Sequence, residues 1–204
     1  MTRRIYGLVG TPQSAKTKIN ELFPKYGIEF INLNAAGNKM RALGSPDRAF
    51  FDFIVPGHIF DDGIRRPSYY LDICKNPEKL EAIMKREIPI IEDYAREQIA
   101  ATTGDVILSW EYLHLLSSEF QFDQVILLIC QDEDTWFDRL RFRANERGFP
   151  RRLSDRKIKE IIKVHGFRQI IEGSIARWNE CLIVDTSPED FGAENLEFIL
   201  SNKL

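Results

Sequence analysis

Five short apolar runs recur along this chain, with amphipathic segments between them, and that alternation limits the folds open to it. The runs are Ile5–Val9, Phe30–Leu33, Val106–Leu108, Val125–Ile129 and Leu182–Val184. Each is short enough for a buried strand, while helical spacing fills the gaps. After the first run, Ile19, Leu22 and Phe23 share one face of Lys16–Tyr26. Asn76 and Pro77 form an N-cap and first-turn pair opening a long segment with Leu80, Ile83, Met84, Ile91, Tyr94 and Ile99 on its apolar side. Pro89 lies within that segment, where a missing donor and a clash one turn back predict a kink or short break. Further helices are expected from about Asp132 to Glu146 and from Ser154 to about Ile171. A last amphipathic segment carries Leu196, Ile199 and Leu200 after Ser187 and Pro188. Strands alternating with helices imply βαβ units and a parallel sheet covered on both faces. Ligands of such sheets bind outside the carboxyl ends of the strands.

Composition narrows the function classes. At 204 residues, with 44% hydrophobic and 29% charged side chains, the chain suits one globular domain rather than a disordered polymer. Lys and Arg total 28 against 31 Asp and Glu, for a net charge of -3, which argues against general nucleic-acid binding. Cys74, Cys130 and Cys181 are odd in number and have no CxxC spacing, so a reducing, cytoplasmic compartment is expected rather than a disulfide framework or cysteine zinc site. The isolated His58, His114 and His165 suggest no metal site. No run approaches the roughly 18 apolar residues of a membrane span, and no signal peptide is evident.

The chemistry is expected after the first strand. Gly10-Thr11-Pro12-Gln13-Ser14-Ala15-Lys16-Thr17 reads G-x-x-x-x-A-K-T, one residue from the phosphate-binding pattern G-x-x-x-x-G-K-[ST]. Amide groups at the start of a helix face an anion, and the aligned peptide dipoles favour negative charge there. Lys16 is expected at the β- and γ-phosphates of ATP, and the Thr17 hydroxyl on Mg²⁺. Ala15 is the departure; at a position needing positive φ, its Cβ costs roughly 1–2 kcal/mol. A plain Ser/Thr/Pro turn before a helix is the bland alternative.

With that loop in place, much of the chain resembles the dephospho-coenzyme A kinase family, a branch of the P-loop small-molecule kinases. The resemblance lies in IYGLVGTPQSAKTKI, in Gly27–Asn34 as the second strand, in Asp61-Asp62-Gly63-Ile64-Arg65-Arg66 as the D-G-x-[IL]-x-R element, and in Asn76-Pro77-Glu78. Ile88-Pro89 stands where that family has His-Pro, and Arg139-x-x-x-Arg143 matches its paired arginines. The resemblance implies a three-layer α/β/α P-loop kinase fold with a five-stranded parallel sheet. The core would comprise about residues 1–34, 104–146 and 180–204, with a helical acceptor region at about 35–103 and a basic lid at about 147–156. It also implies ATP-dependent phosphorylation of a ribose hydroxyl of dephospho-coenzyme A or a similar nucleotide.

Several positions depart from the family. Its strand-two Asp-x-Asp has become Asn32 and Asn34, and an amide orients a hydroxyl but cannot take its proton. Glu111, just past strand three, is therefore the candidate base or metal-directed acid. Its competing reading is a solvent-facing glutamate capping the next helix. Nine basic residues crowd a 21-residue stretch from Arg139 to Lys159. Arg139, Arg143, Arg147 and Arg151 are expected on transferring phosphate, where positive charge stabilises the transition state; Arg141, Lys157 and Lys159 read as a solvated face. Asn34, Asp62, Arg65 and Arg66 are candidates for acceptor binding, an arginine fork suiting an anionic group. An ordinary turn followed by surface arginines explains Asp61–Arg66 equally well. Two other functional readings stand beside this one: a nucleoside or nucleotide kinase with another acceptor, and a nucleotide-binding regulator or scaffold without turnover.

Overall fold

A computed structural model of the chain describes residues 3–11, 14, 16, 19, 22–146, 154–156, 159–160 and 165–188. All five apolar runs are strands: β1 (Ile5–Gly10), β2 (Ile28–Asn32), β3 (Asp105–Ser109), β4 (Gln124–Ile129) and β5 (Leu182–Asp185). They pair in parallel in the order β2-β3-β1-β4-β5. Successive side chains point to opposite faces, so each strand feeds two cores. Tyr6, Leu8, Ile107, Ile126, Leu128 and Val184 join Ile19, Leu22 and Phe23 on one face. Val106, Leu108, Val125 and Leu127 face the larger cluster, built with Phe51, Tyr69, Ile73, Ile83 and Ile91. Complete burial of such a side chain contributes about 1.5–3 kcal/mol. Burial on both faces explains why the strands read as continuous apolar runs rather than as alternating ones.

Between β2 and β3 the chain forms α1 (Asn34–Arg41), α2 (Arg48–Ile54), α3 (Pro67–Lys75) and α4 (Pro77–Ala101). Pro89 does not break α4, which is helical through all 25 residues. Pro89 and Lys85, whose carbonyl loses its helical donor, both lie on the exposed side, where water can serve that oxygen. Asn76 occupies the N-cap position of α4, but its side chain makes no cap bond there. Its Nδ2 instead donates to the Asp72 carbonyl at 2.9 Å and to Asp72 Oδ1 at 3.1 Å, tying α3 to the turn.

After β4, α5 spans Glu133–Glu146, and Asp132 caps it by accepting from the Thr135 amide at 2.6 Å. Asp155, Arg156, Lys159 and Glu160 are helical, and α6 runs His165–Arg177, past the expected end at Ile171. The segment with Leu196, Ile199 and Leu200 lies outside the described residues. Among the described residues, no helix is long and apolar enough to cross a membrane.

Candidate active site

The strand order brings the carboxyl ends of β2, β3 and β1 side by side, and the expected site residues gather there. Gly10 ends β1 in a tight place: a Cβ would stand 2.4 Å from Ser14 Oγ and 3.0 Å from the Leu128 backbone oxygen, so a side chain there would force the loop to shift. The Ser14 amide donates to the Thr11 carbonyl at 3.1 Å, which turns the loop. Lys16 is helical, and its Nζ donates to the Gly10 carbonyl and, at 2.9 Å, to that of Thr11. Thr11 and Ser14 are 2% and 0% exposed, yet Thr11 Oγ1 and Ser14 Oγ have no hydrogen-bond partner among the described residues. Two buried hydroxyls left unpaired beside a lysine suit an incoming phosphate, which offers acceptor oxygens to each. Pro12, Gln13, Ala15 and Thr17 lie outside the described residues.

The register of β2 and β3 builds the second half of the site. Asn32 lies level with Ser109, so Asn34 and Glu111, each two residues further, meet beyond the strand ends. Asn34 Nδ2 donates to Glu111 Oε2 at 3.0 Å. Arg65 Nη2 closes the triangle, donating to Asn34 Oδ1 at 2.9 Å and to Glu111 Oε1. The Arg65 and Glu111 side chains are only 7% and 5% exposed. Burial pushes the Glu111 carboxyl up, but the Arg65 charge, then the Lys16 charge, then the Asn34 bond outweigh it and hold the group at about 2. Glu111 is therefore a buried carboxylate within the field of Lys16, and not a solvent-facing helix cap. At that pKa it is a weak proton acceptor at neutral pH.

Arg65 reaches this point through a tight turn. The Phe60 amide donates to the Ile64 carbonyl and the Arg66 amide to that of His58, flanking the Ile59–Arg65 bridge. Gly63 has φ +81, and a Cβ there would stand 1.8 Å from the Asn38 carbonyl oxygen, so the turn lies flat on α1 only because it has no side chain. Asp62 serves the turn, its Oδ1 accepting from the Ile64 amide at 3.0 Å. The Arg66 guanidinium lies 4.3 Å above the Phe60 ring. Asn32 is exposed, with Oδ1 accepting from the Asn34 amide at 3.0 Å.

Residues the motifs did not point to hold this turn in place. Arg41 and Glu87, both 1% exposed, form a buried ion pair. Arg41 also donates to the Gly63 carbonyl at 3.0 Å and to Asn38 Oδ1 at 2.7 Å. The sequence carries no signal for this pair beyond a charge at each of two helical positions 46 residues apart.

On the other side of the sheet's carboxyl edge, Arg139 donates to the Thr186 carbonyl at 2.7 Å and approaches Cys130 Sγ at 3.6 Å. Arg141 is exposed and 3.7 Å from Asp155, as a solvated face requires. The side chain of Arg143 and residues Arg147 and Arg151 lie outside what is described. Among the described residues, no cluster of three or more His, Cys, Asp or Glu could hold a metal ion.

The order 2-3-1-4-5, the helices on both faces and the loop leaving the central strand define the P-loop kinase fold. Solved structures match it over nearly their whole length. TT1252 from Thermus thermophilus has a TM-score of 0.62 at 14% identity, covering 100% of both chains. Shikimate kinase from Bacteroides thetaiotaomicron has a TM-score of 0.55 at 13% identity, covering 98% of this chain and 99% of that one. Identities this low show the fold alone. Dephospho-CoA kinase from Campylobacter jejuni aligns at a TM-score of 0.46 and 11% identity, too weak to single out that family. No protein-family model matches the chain, and no curated protein matches it in sequence.

Proposed function

We propose that this protein is an ATP-dependent small-molecule kinase. It would phosphorylate a hydroxyl of dephospho-coenzyme A or a similar nucleotide, or of a nucleoside. The observation that carries the reading is the pairing of two half-sites. A loop with Lys16 and two unpartnered buried hydroxyls faces an acceptor-side triangle of Asn34, Arg65 and Glu111 across adjacent strand ends. The two are electrostatically linked, since Lys16 helps to hold Glu111 ionised.

ATP, when bound, supplies the transferable phosphoryl group, and Mg²⁺ neutralises part of its charge. Lys16 releases the loop carbonyls to bind phosphate oxygens, and the hydroxyls of Thr11 and Ser14 donate to them. Thr17 is the metal-side hydroxyl. Arg143, Arg147 and Arg151 supply positive charge from α5 and the segment after it, and Arg139 holds the edge formed by Cys130 and Thr186. Asn32 and Asn34 orient the acceptor hydroxyl. Glu111 acts by fixing Asn34 and Arg65 rather than by taking the proton, because a carboxyl at about 2 has little affinity for one. A loose phosphoryl-transfer transition state asks little of a base, so positioning and charge suffice.

Lys16→Ala, titrated with ATP–Mg²⁺ by calorimetry, tests the reading: binding should fall at least tenfold, and parent-like binding would overturn it. A coupled ATP-consumption assay against dephospho-coenzyme A and a nucleoside panel identifies the acceptor. A second reading, nucleotide binding without turnover, is favoured by Asn32 standing where a base is expected and by the locked Glu111. It predicts stabilisation by ATP–Mg²⁺, about 2.7 kcal/mol at a hundredfold excess over Kd, with no ATP consumed.

A further inference from the structure

We infer that the outer face of the turn carrying Arg65 is a second anion site, in which Arg66, His58 and Ser68 hold a phosphoryl group apart from the phosphate loop and from Glu111. The inference goes beyond the kinase reading and does not depend on it. Its first ground is the pairing within the turn. Ile59 bridges Arg65 in antiparallel register, flanked by the Arg66 amide donating to the His58 carbonyl at 2.8 Å and the Phe60 amide donating to that of Ile64 at 2.9 Å. Side chains alternate across such a pair, so Ile59 and Arg65 share the inner face while His58, Phe60 and Arg66 share the outer one. Ile59 is buried in the core and Arg65 reaches Glu111, whereas Arg66 turns away and lies over the Phe60 ring. Two adjacent arginines are thus sent to different places.

The second ground is an unserved cation. Among the described residues, Arg66 Nε is buried with no hydrogen-bond partner, and no carboxylate pairs with the Arg66 guanidinium. A buried donor left unmade is expensive, and a ring face replaces only part of what an acceptor oxygen would give. His58 stands across from Arg66, and its Nδ1 lies 2.8 Å from Ser68 Oγ. The Lys79 charge also reaches His58, while Asp72, the nearby acid, is shared between Lys79 Nζ at 2.7 Å and Asn76 Nδ2 at 3.1 Å. Cations therefore outnumber acids around the ring. Burial first, and then Lys79 and Arg66, hold His58 below its ordinary range against the pull of Asp72, so the ring rests neutral at pH 7. An arriving anion supplies what the cluster lacks: oxygens for the Arg66 guanidinium, for the Ser68 hydroxyl and for a proton on His58. A tetrahedral phosphoryl group presents enough oxygens to serve all three.

The test follows the imidazole signals of the full chain by NMR through a pH titration, with and without sodium sulfate, at ionic strength held constant with sodium chloride. Sulfate keeps its charge across the range, and His58→Gln assigns the signal. Saturating sulfate should raise the His58 pKa by about half a unit or more, because a bound anion favours the charged ring and the charged ring favours the anion. The rise should persist in Lys16→Ala, which disables the phosphate loop, and vanish in Arg66→Met. A His58 pKa that sulfate leaves unmoved, a rise lost in Lys16→Ala, or a rise retained in Arg66→Met overturns the inference. Should Arg66→Met fail to fold, Ser68→Ala takes its place: the sulfate concentration at half-saturation should rise about threefold or more, and an unchanged value overturns the inference. D-ribose 5-phosphate separates the two sources of such a group. Half-saturation at a concentration about tenfold below that of sulfate assigns the site to the phosphate of a larger ligand, and equal half-saturation assigns it to a free anion. Loss of ATP binding with the His58 response intact would remove the kinase reading and leave this one standing.

Discussion

Substitution of Arg65 by methionine should destabilise the protein far more than removal of Arg65 and Glu111 together. In the fold the Glu111 carboxyl sits at about 2 against an ordinary 4.5. That lowering corresponds to a few kcal/mol, on the order of 3, favouring the ionised form in the native state. Burial works in the opposite direction and is the largest single influence, so the net favourable figure depends on the guanidinium. Without Arg65, burial prevails, and a side chain 5% exposed is left with Asn34 and the field of Lys16. Arg65→Met should then cost about 3–5 kcal/mol at pH 7, as broken buried pairs do. Arg65→Met with Glu111→Leu removes the stranded charge, and most of that cost should be recovered. Urea unfolding at pH 7, with the slope m checked for constancy, gives the four corners of the cycle. The pH dependence supplies a second arm. The folded pKa is depressed, so the contribution is complete above 4.5 and is lost as pH falls towards 2. The double variant should lack that loss. If the double variant costs the sum of the singles within about 0.5 kcal/mol, the two groups are not coupled and the reasoning fails.

Other expectations follow from the same geometry. Arg41→Met should cost about 3–5 kcal/mol, since it strands Glu87 at 1% exposure, and Arg41→Met with Glu87→Leu should be much milder; equal losses in urea melts would contradict a paired role. His114 sits at about 4 against 6.5, lowered by burial and then by Arg177. Its folded pKa is depressed, so its contribution is present above 6.5 and lost as pH falls to 4, by at most about 3 kcal/mol. His114→Phe should flatten thermal stability across that window, and an unchanged slope would point to another group. Gly10→Ala places a Cβ against Ser14 Oγ and the Leu128 backbone, so it should cost about 1–3 kcal/mol and weaken ATP binding at least tenfold by calorimetry. Parent-like nucleotide affinity in that variant would show that the loop relaxes around it.

The strands and most helices were legible because burial on two faces forces long apolar runs and helical burial forces a 3.6-residue stripe. Pro89 leaves the helix unbroken for an identifiable reason. The rule that proline breaks helices concerns an unserved carbonyl and a clash, and on the exposed side of a 25-residue helix the first of these is met by water. Asn76 holds the N-cap position read for it, and Pro77 follows it in the first turn. Its position favours capping, but its amide found a nearer acceptor in Asp72, one turn back in the preceding helix. A single sequence reports which residue types suit a position, not which of two hydrogen-bond partners stands closer.

The site divides in the same way. Lys16, Asn34, Arg65 and Glu111 were all found by motif or position, but their mutual commitments were not, and those commitments decide the chemistry. Arg65 read as a fork for an anion; in the fold its Nη2 is shared between Asn34 and Glu111. Glu111 read as a base or a metal-directed acid; in the fold it is the counter-charge that makes Arg65 tolerable in a buried place. Arg41 and Glu87 belong to no motif, yet Arg41, paired with Glu87, grips the Gly63 carbonyl, two residues before Arg65. The two buried pairs therefore form one structure: the Arg41 brace sets the turn, the turn aims Arg65, and Arg65 fixes the charge state of Glu111. Damage to the brace should consequently appear at the acceptor side. Arg41→Met should weaken binding of the acceptor identified in the coupled assay while leaving ATP affinity at Lys16 near the parent value. Equal losses of both, measured on protein confirmed to be folded, would mean that the brace serves stability alone.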